Sequence, residues 1–296
     1  MVHHQRHSSQ LVLGEEVMVK TLRRLGFDIV SGCQLKCIGC PNSAINTGIS
    51  FISLTDFATC LKNFDVAAIS LLRLFNFGEP LLHPNLIELV LEIPKQTWWR
   101  EYSRLEISTN GQYQNFSKIT DLFKTGELDI LVVSCDGNGT KEDYERLRPP
   151  AKWDVLMNFL STGRRLRDEY APNLKLRTRI IGRTKTGRER WNQILTPNDW
   201  EPSYRRYLYL PGVKQVKPAV TNKACHFIKD AFSGATFYVN SDGYAVPCCA
   251  HPTAHILGDL KRDKYNAILM SEVYKEFAQQ LTIERTEHPI CGDCIL

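Results

Sequence analysis

The sequence predicts an α/β protein built on a parallel sheet. Short apolar runs bounded by turn residues recur near 26–31, 69–76, 104–109, 128–134, 175–182 and 213–217. Segments with helical spacing lie between them, near 55–63, 84–96, 117–125, 153–168 and 188–194. This alternation implies strand–helix units joined by right-handed crossovers. The length of 296 residues suits one large domain, or one large and one small.

Taken in order, the stretch "MVHHQRHSSQLVLGEE" reads as a loose tail, because it has no apolar core long enough for a signal peptide. We set the tail at 1–23. The run 69–76 ends in "LFNFGEPLLHPNL", and the helix after it carries Leu86, Ile87, Leu89, Val90 and Ile93 on one face. The runs 104–109 and 128–134 end in "LEISTNG" and "ILVVSCDG". The repeating units extend to 222. After "VKPAVTNKA", two β-rich runs, Thr236–Val239 and Tyr244–Val246, flank "NSDG", a strong hairpin signal. A helix is expected near 264–280, so 223–296 reads as a second, smaller unit.

Composition narrows the function. Apolar content of 43% and charged content of 23% are ordinary for a globular chain. No stretch approaches the ~20 apolar residues of a membrane span. A cytoplasmic protein is expected, and ten cysteines in a reducing compartment point to metal or redox chemistry rather than disulfides. Cys33, Cys37 and Cys40 form one cluster; Cys225, Cys248, Cys249, Cys291 and Cys294 form another. Cys60 and Cys135 stand alone and read as small buried hydrophobes.

The run "SGCQLKCIGCPNSA" supplies three thiols with x3 and x2 spacing and no fourth Cys or His nearby. Structural zinc usually takes four ligands, and a redox CxxC would not need Cys33. Three thiolates suit a [4Fe–4S] cluster with one iron left open. Here the sequence resembles the radical S-adenosylmethionine (radical SAM) superfamily. The resemblance implies a partial (β/α)6 TIM-like barrel at 24–222 whose open iron binds SAM. It also implies reductive cleavage of SAM to a 5′-deoxyadenosyl radical that abstracts hydrogen from the substrate. Gly78, Glu79 and Pro80 match the family's GGEP segment, with Phe77 replacing the first Gly; Glu79 is implied to hold the SAM amino group. Ser108 and Asn110 are implied at the ribose or methionyl part, Ser134 and Arg148 at the carboxylate. Gly39 replaces the aromatic residue that many relatives pack near adenine, so Ile38 or Ile180 is expected there.

The second cysteine group resembles the shortened C-terminal domain of SPASM/twitch radical SAM proteins. That resemblance implies one auxiliary [4Fe–4S] cluster on Cys225, Cys248, Cys291 and Cys294. Four thiolates at this spacing alone would equally suit zinc. Cys249 is open to three readings: an alternative ligand to Cys248, a free buried thiol, or a hydrogen donor to a product radical.

From Arg164 to Arg190, ten Lys/Arg stand against three Asp/Glu, in a chain of net charge +5. This segment reads either as a solvated basic surface or as an anchor for an anionic substrate. Arg183 is a candidate catalytic location there, with Cys249 and Cys135 as candidate hydrogen donors. No nucleic-acid-binding module is recognisable. The leading expectation is a radical SAM oxidoreductase similar to aminocyclitol dehydrogenases. It would act on a small sugar, cyclitol or nucleoside-like molecule, with a flavodoxin or ferredoxin as electron donor and the auxiliary cluster as electron acceptor. The alternatives are a peptide-modifying maturase, or a redox-neutral epimerase or dehydratase. Many maturases carry an extra leader-binding domain before the barrel, and only 32 residues precede Cys33.

Overall fold

The computed structural model describes residues 18–40, 42–43, 48–181, 184–205, 225–250, 253–283 and 285–294. Six parallel strands come first: β1 (Thr21–Phe27), β2 (Ala68–Arg73), β3 (Arg104–Thr109), β4 (Ile130–Ser134), β5 (Lys175–Ile181) and β6 (Glu201–Arg205). Helices alternate with them: α1 (Leu54–Lys62), α2 (Leu86–Glu92), α3 (Ser117–Lys124), α4 (Lys141–Leu147), α5 (Trp153–Tyr170) and α6 (Lys185–Leu195). The strands pair in chain order, β6-β5-β4-β3-β2-β1. This is a partial (β/α)6 barrel: the parallel sheet that the alternation predicts, in the TIM-like form that the resemblance implies.

The two faces of the sheet differ in chemistry. Leu105, Ile107, Leu131, Val133, Leu176 and Ile180 are fully or almost fully buried. They alternate with the residues of the opposite face. Each such side chain contributes roughly 1.5–3 kcal/mol on burial. The long helix α5 adds Leu156, Phe159 and Leu160 to the same core. Its buried tryptophan neighbours are satisfied: Trp200 Nε1 donates to Leu160 O at 2.9 Å, and Trp191 Nε1 to Gly137 O at 3.0 Å. The opposite, concave face carries Arg73, Glu106, Ser108, Ser134 and Arg179. Arg73 pairs in register with Glu106, and Ser134 with Arg179.

The C-terminal segment continues the sheet. Helix α7 (His226–Phe232) leads to the hairpin β7 (Phe237–Val239) and β8 (Tyr244–Val246), then β9 (Gly258–Asp259). β7 pairs parallel with β1, Gly26 opposite Tyr238, while β8 and β9 are antiparallel. In the hairpin turn, Asn240 Oδ1 accepts from Asp242 N at 3.0 Å and Tyr244 N at 2.9 Å. Helices α8 (Tyr265–Met270) and α9 (Glu272–Ile283) follow. Phe64, Phe237 and Tyr265 form one aromatic cluster. Asn266 Oδ1 accepts from Val19 N at 2.8 Å, tying α8 to the chain ahead of β1.

Several expectations need correction. β1 spans Thr21–Phe27 rather than 26–31, and it begins inside the stretch read as tail. Its sequence TLRRLGF holds two arginines. The apolar count was drawn instead to Ile29 and Val30, which are buried just beyond the strand. The run 213–217 lies outside the described residues, and the sixth strand is Glu201–Arg205. None of its residues is buried, so apolar content could not reveal it, and Pro202 is tolerated because the strand is an edge. Helix α4 was missed because only Tyr144 is buried in it; its start is set by Thr140, whose side chain accepts from Asp143 N. The short α7 was missed as well. Among the described residues, no helix is long and apolar enough to cross a membrane.

Candidate functional site

A cleft of about 270 Å³ opens at the C-terminal ends of the parallel strands. Barrel sites are built at this end, where strand-end loops converge. One wall is the loop after β1, carrying Cys33, Cys37 and Cys40; the others are the ends of β2 through β5. Gly78, Glu79, Ser108, Asn110, Ser134 and Arg148 all line it. Pro80 lies behind the wall, buried at the start of the turn Pro80–Leu82.

The loop after β2 is held from both sides. The Asp28 carboxylate, at the end of β1, accepts from three successive backbone groups: Asn76 N (3.2 Å), Phe77 N (2.9 Å) and Gly78 N (3.2 Å). Glu79 N donates to Gly32 O at 2.9 Å, and Asn42 Nδ2 donates to Phe77 O at 3.1 Å. Gly78 is required by contact: a Cβ there would lie 1.7 Å from Val30 O.

Glu79 is buried, and its carboxylate organises the end of β3. Oε1 accepts from Thr109 Oγ1 at 2.8 Å and Oε2 from Asn110 N at 2.7 Å. Burial pushes its pKa up to about 7, with the hydrogen bonds from Asn110, Thr109 and Leu81 acting against this. A buried carboxylate short of compensation suits a cationic partner. Burial likewise pushes Asp28 up to about 6, against its three backbone donors.

Both folded-state values lie above those of free carboxyls, so the empty protein should lose stability as pH rises. For Asp28 the loss runs from about pH 4 to about 6, and the protein is most stable below that window. We expect Asp28→Asn to flatten this slope relative to wild type by about 1–3 kcal/mol, at roughly 1.4 kcal/mol per pKa unit. Urea midpoints of the apoprotein at pH 4.5 and 7 provide the check. Identical slopes in both proteins would count against a desolvated Asp28.

The cysteine loop is anchored to the segment after α4. Lys36 N donates to Pro149 O at 2.6 Å and Ile38 N to Leu147 O at 2.8 Å. Burial raises the Cys37 thiol to about 11, while the Arg148 guanidinium lowers it. Arg148 is itself buried and ion-paired with Asp136, whose Oδ1 accepts from Ile181 N at 3.1 Å. Asn110 Nδ2 lies 3.1 Å from Gln34 Oε1 and 3.5 Å from Cys33 Sγ. Ile38 lines the cleft, 52% exposed. Ile180 does not: it is fully buried, and Ile181 is the cleft residue, one register step away. Cys135 is also fully buried in the core, which removes it from the cleft. Arg183 lies outside the described residues.

In the C-terminal group, burial first, then the neighbouring Cys225 and Cys294, raises the Cys291 thiol to about 12. These three therefore stand together. Buried Arg285 shapes their loop: its Nε donates to Cys291 O at 3.2 Å and its NH2 to Cys294 O at 2.7 Å. His288 Nδ1 accepts from Cys291 N at 3.0 Å. Cys248 is buried, whereas Cys249 bonds the Tyr238 side chain and feels Arg73 and Arg179 of the concave face. Among the described residues, no three Cys, His, Asp or Glu donors converge closely enough for a single metal ion.

Asp28, Asp136, Arg179, Arg285 and His288 were missed from sequence. Asp28 and Asp136 had a usable signal, because Asp28 is the lone charge inside the apolar run 26–31 and Asp136 closely follows the run 128–134 at the face where the site is built. Arg285 and His288 had none, since they act on backbone groups.

Residues 232–295 match the SPASM family, described as an iron–sulfur cluster-binding domain. An uncharacterized protein of Methanocaldococcus jannaschii is 30% identical over 138 residues, 45% of this chain and 46% of that protein. The chain spans about half the length of the curated relatives it matches. BtrN, solved in complex with AdoMet and 2-DOIA, aligns over 94% of both chains with a TM-score of 0.60 and 17% identity. The structure of anSMEcpe with bound AdoMet and the Cp18Cys peptide aligns over 93% of this chain and 88% of that one, with a TM-score of 0.61 and 15% identity. Residues 232–295 thus match an iron–sulfur cluster-binding domain, and the chain as a whole shares the fold of BtrN and anSMEcpe.

Proposed function

We propose that the protein is a radical SAM oxidoreductase acting on a small polar molecule. One observation carries this reading: three thiols on one loop share a single cleft with Gly78, Glu79, Ser108, Asn110, Ser134 and Arg148. In this reading, residues 24–222 form the catalytic barrel and 223–296 the auxiliary-cluster unit. Cys33, Cys37 and Cys40 hold a [4Fe–4S] cluster that leaves one iron open. When bound and reduced, this cluster and SAM supply a 5′-deoxyadenosyl radical and methionine. Glu79 receives the SAM ammonium group, which supplies the charge its burial lacks. Ser108 and Asn110 hold the ribose or methionyl part. Ser134 and Arg148 face the carboxylate, and Asp136 fixes the guanidinium. Ile38 and Ile181 cover the adenine in place of an aromatic residue. Cys225, Cys248, Cys291 and Cys294 would hold the auxiliary cluster, which would supply an electron acceptor for oxidation of the substrate. A flavodoxin or ferredoxin reduces the first cluster. The match of residues 232–295 to a cluster-binding domain supports the auxiliary site.

The test is anaerobic incubation of the reconstituted protein with SAM and dithionite. We expect 5′-deoxyadenosine and methionine. Their absence from a protein loaded with iron and sulfide overturns the reading. With substrate present, Cys291→Ala combined with Cys294→Ala should stop oxidised product while 5′-deoxyadenosine partly survives.

The position of Cys249 favours a second reading. Its thiol is half-buried against Tyr238 and within the field of Arg73 and Arg179. From there it could return a hydrogen atom to a substrate radical in a redox-neutral reaction such as epimerisation. Solvent deuterium at one product carbon, lost in Cys249→Ala, would select this reading over oxidation.

A further inference from the structure

A second cavity of about 260 Å³ lies deeper on the concave face, lined by Arg73, Glu106, Arg177, Arg179, Ser203 and Arg205 among others. Arg179 lines both this cavity and the cleft above it. The charges do not balance. Arg177 is satisfied by Glu201, with Nε donating to Oε2 at 2.7 Å. That leaves three guanidiniums, Arg73, Arg179 and Arg205, against Glu106 alone among the described lining residues.

Glu106 is an incomplete partner. It stands 3.4 Å from Arg73 Nε and 3.6 Å from Arg179 NH2, as ion pairs without good hydrogen-bond geometry. Its Oε1 and the Arg73 Nε are both buried without a hydrogen-bond partner. Buried polar atoms are normally satisfied, so the Arg73 Nε has a donor to offer a further acceptor, whereas the Glu106 oxygen, itself an acceptor, offers an anion nothing. The Arg179 guanidinium lies over the Phe75 ring, 5.3 Å from its centroid. That contact holds the guanidinium plane while leaving its edge free to bond. Burial lowers the Arg179 pKa; Glu106 raises it, and the charges of Arg73 and Arg205 lower it further. Three cations held this close repel one another, and an anion between them relieves the cost.

We propose that Arg73, Arg179 and Arg205 bind an oxyanionic group of the substrate, a phosphate monoester or a carboxylate, and so aim the rest of the molecule at the cleft above. Guanidinium groups suit both anions, because their forked donors match two oxygens at once. The net charge of this lining favours a dianion. This rests on the radical SAM reading only for what happens in the cleft; the anion site stands on its own charges. Arg179 belongs to the basic segment Arg164–Arg190 of the sequence, and Arg73 and Arg205 join it from β2 and β6.

Calorimetric titration of the reconstituted protein with inorganic phosphate, and separately with succinate, tests the site. We expect saturable binding of at least one. Phosphate alone points to a phosphate monoester and succinate alone to a carboxylate substrate. Arg179→Gln should weaken that binding about tenfold or more. Arg205→Gln, at an exposed strand end, should do the same without risk to folding. Arg165→Gln, an equal charge loss on the outer face of α5 beside Glu169, should leave the dissociation constant unchanged. No saturable binding of either anion, or equal weakening by all three substitutions, overturns the proposal. Wild-type 5′-deoxyadenosine formation separates the two claims. SAM cleavage without anion binding sinks the anion site alone, and anion binding without SAM cleavage sinks the radical SAM reading alone.

Discussion

Replacing Cys33, Cys37 and Cys40 together with Ala is expected to abolish SAM cleavage while leaving iron and sulfide at the C-terminal site. The two thiol sets are far apart in the chain and differently anchored. The first loop is pinned by backbone bonds to Leu147 and Pro149. The last is pinned by Arg285 and His288, both within the C-terminal segment. Nothing in the second anchor depends on the first. The three cysteines are only half-buried, so truncation removes little core and the fold should survive. Without thiolates the first cluster has no ligands, and the loss of 5′-deoxyadenosine should reach the background of the protein-free assay. Iron and sulfide counts should fall by about half rather than to zero. Circular dichroism establishes that the variant is folded. A folded variant that still cleaves SAM, or that loses all its iron, would refute the two-cluster arrangement.

The barrel was legible because its interior strands obey a simple rule. β3 and β4 are buried on one face or both, and their apolar runs end at turn residues close to where the strands end. The cleft residues were legible for the same reason, since Gly78–Glu79 and Asn110 come just after those runs and Ser108 and Ser134 lie at their ends. What escaped is what apolar content does not encode. β6 reads EPSYR and has no fully buried residue, so among the described residues it is recognised as a strand by its pairing with β5. The displaced β1 shows the reverse error, because Ile29 and Val30 are core residues of a loop. A one-residue step puts Ile181 rather than Ile180 in the cleft, and spacing cannot choose between adjacent residues of a strand whose register is unknown. The arginines of the concave face were visible as charge, but not as a cluster. Arg73 and Arg179 come together only once β2 and β5 are placed on either side of β3 and β4.

Gly78→Ala is expected to raise the SAM dissociation constant of the reconstituted protein at least tenfold and to lower stability by about 1–3 kcal/mol, the usual range for forcing atoms into a packed site. The added Cβ would sit 1.7 Å from Val30 O and 2.6 Å from Val30 C, where non-bonded atoms normally keep about 3.5 Å. The backbone must therefore open by well over 1 Å, and neither side yields easily. On one side, Val30 is fully buried and bridges to Phe51. On the other, the Asp28 carboxylate grips Asn76, Phe77 and Gly78 together. Opening that contact displaces Glu79 N from Gly32 O and moves the carboxylate assigned to the SAM ammonium group. Gly48→Ala is the matched control. Gly48 has a φ of +78°, so Ala is strained there, but its added Cβ meets nothing within 4 Å. It should lose about 1–2 kcal/mol of stability with SAM affinity near wild type. Equilibrium dialysis with SAM and urea denaturation of both variants decide the matter. Wild-type SAM affinity in Gly78→Ala would mean that the loop after β2 does not shape the SAM site.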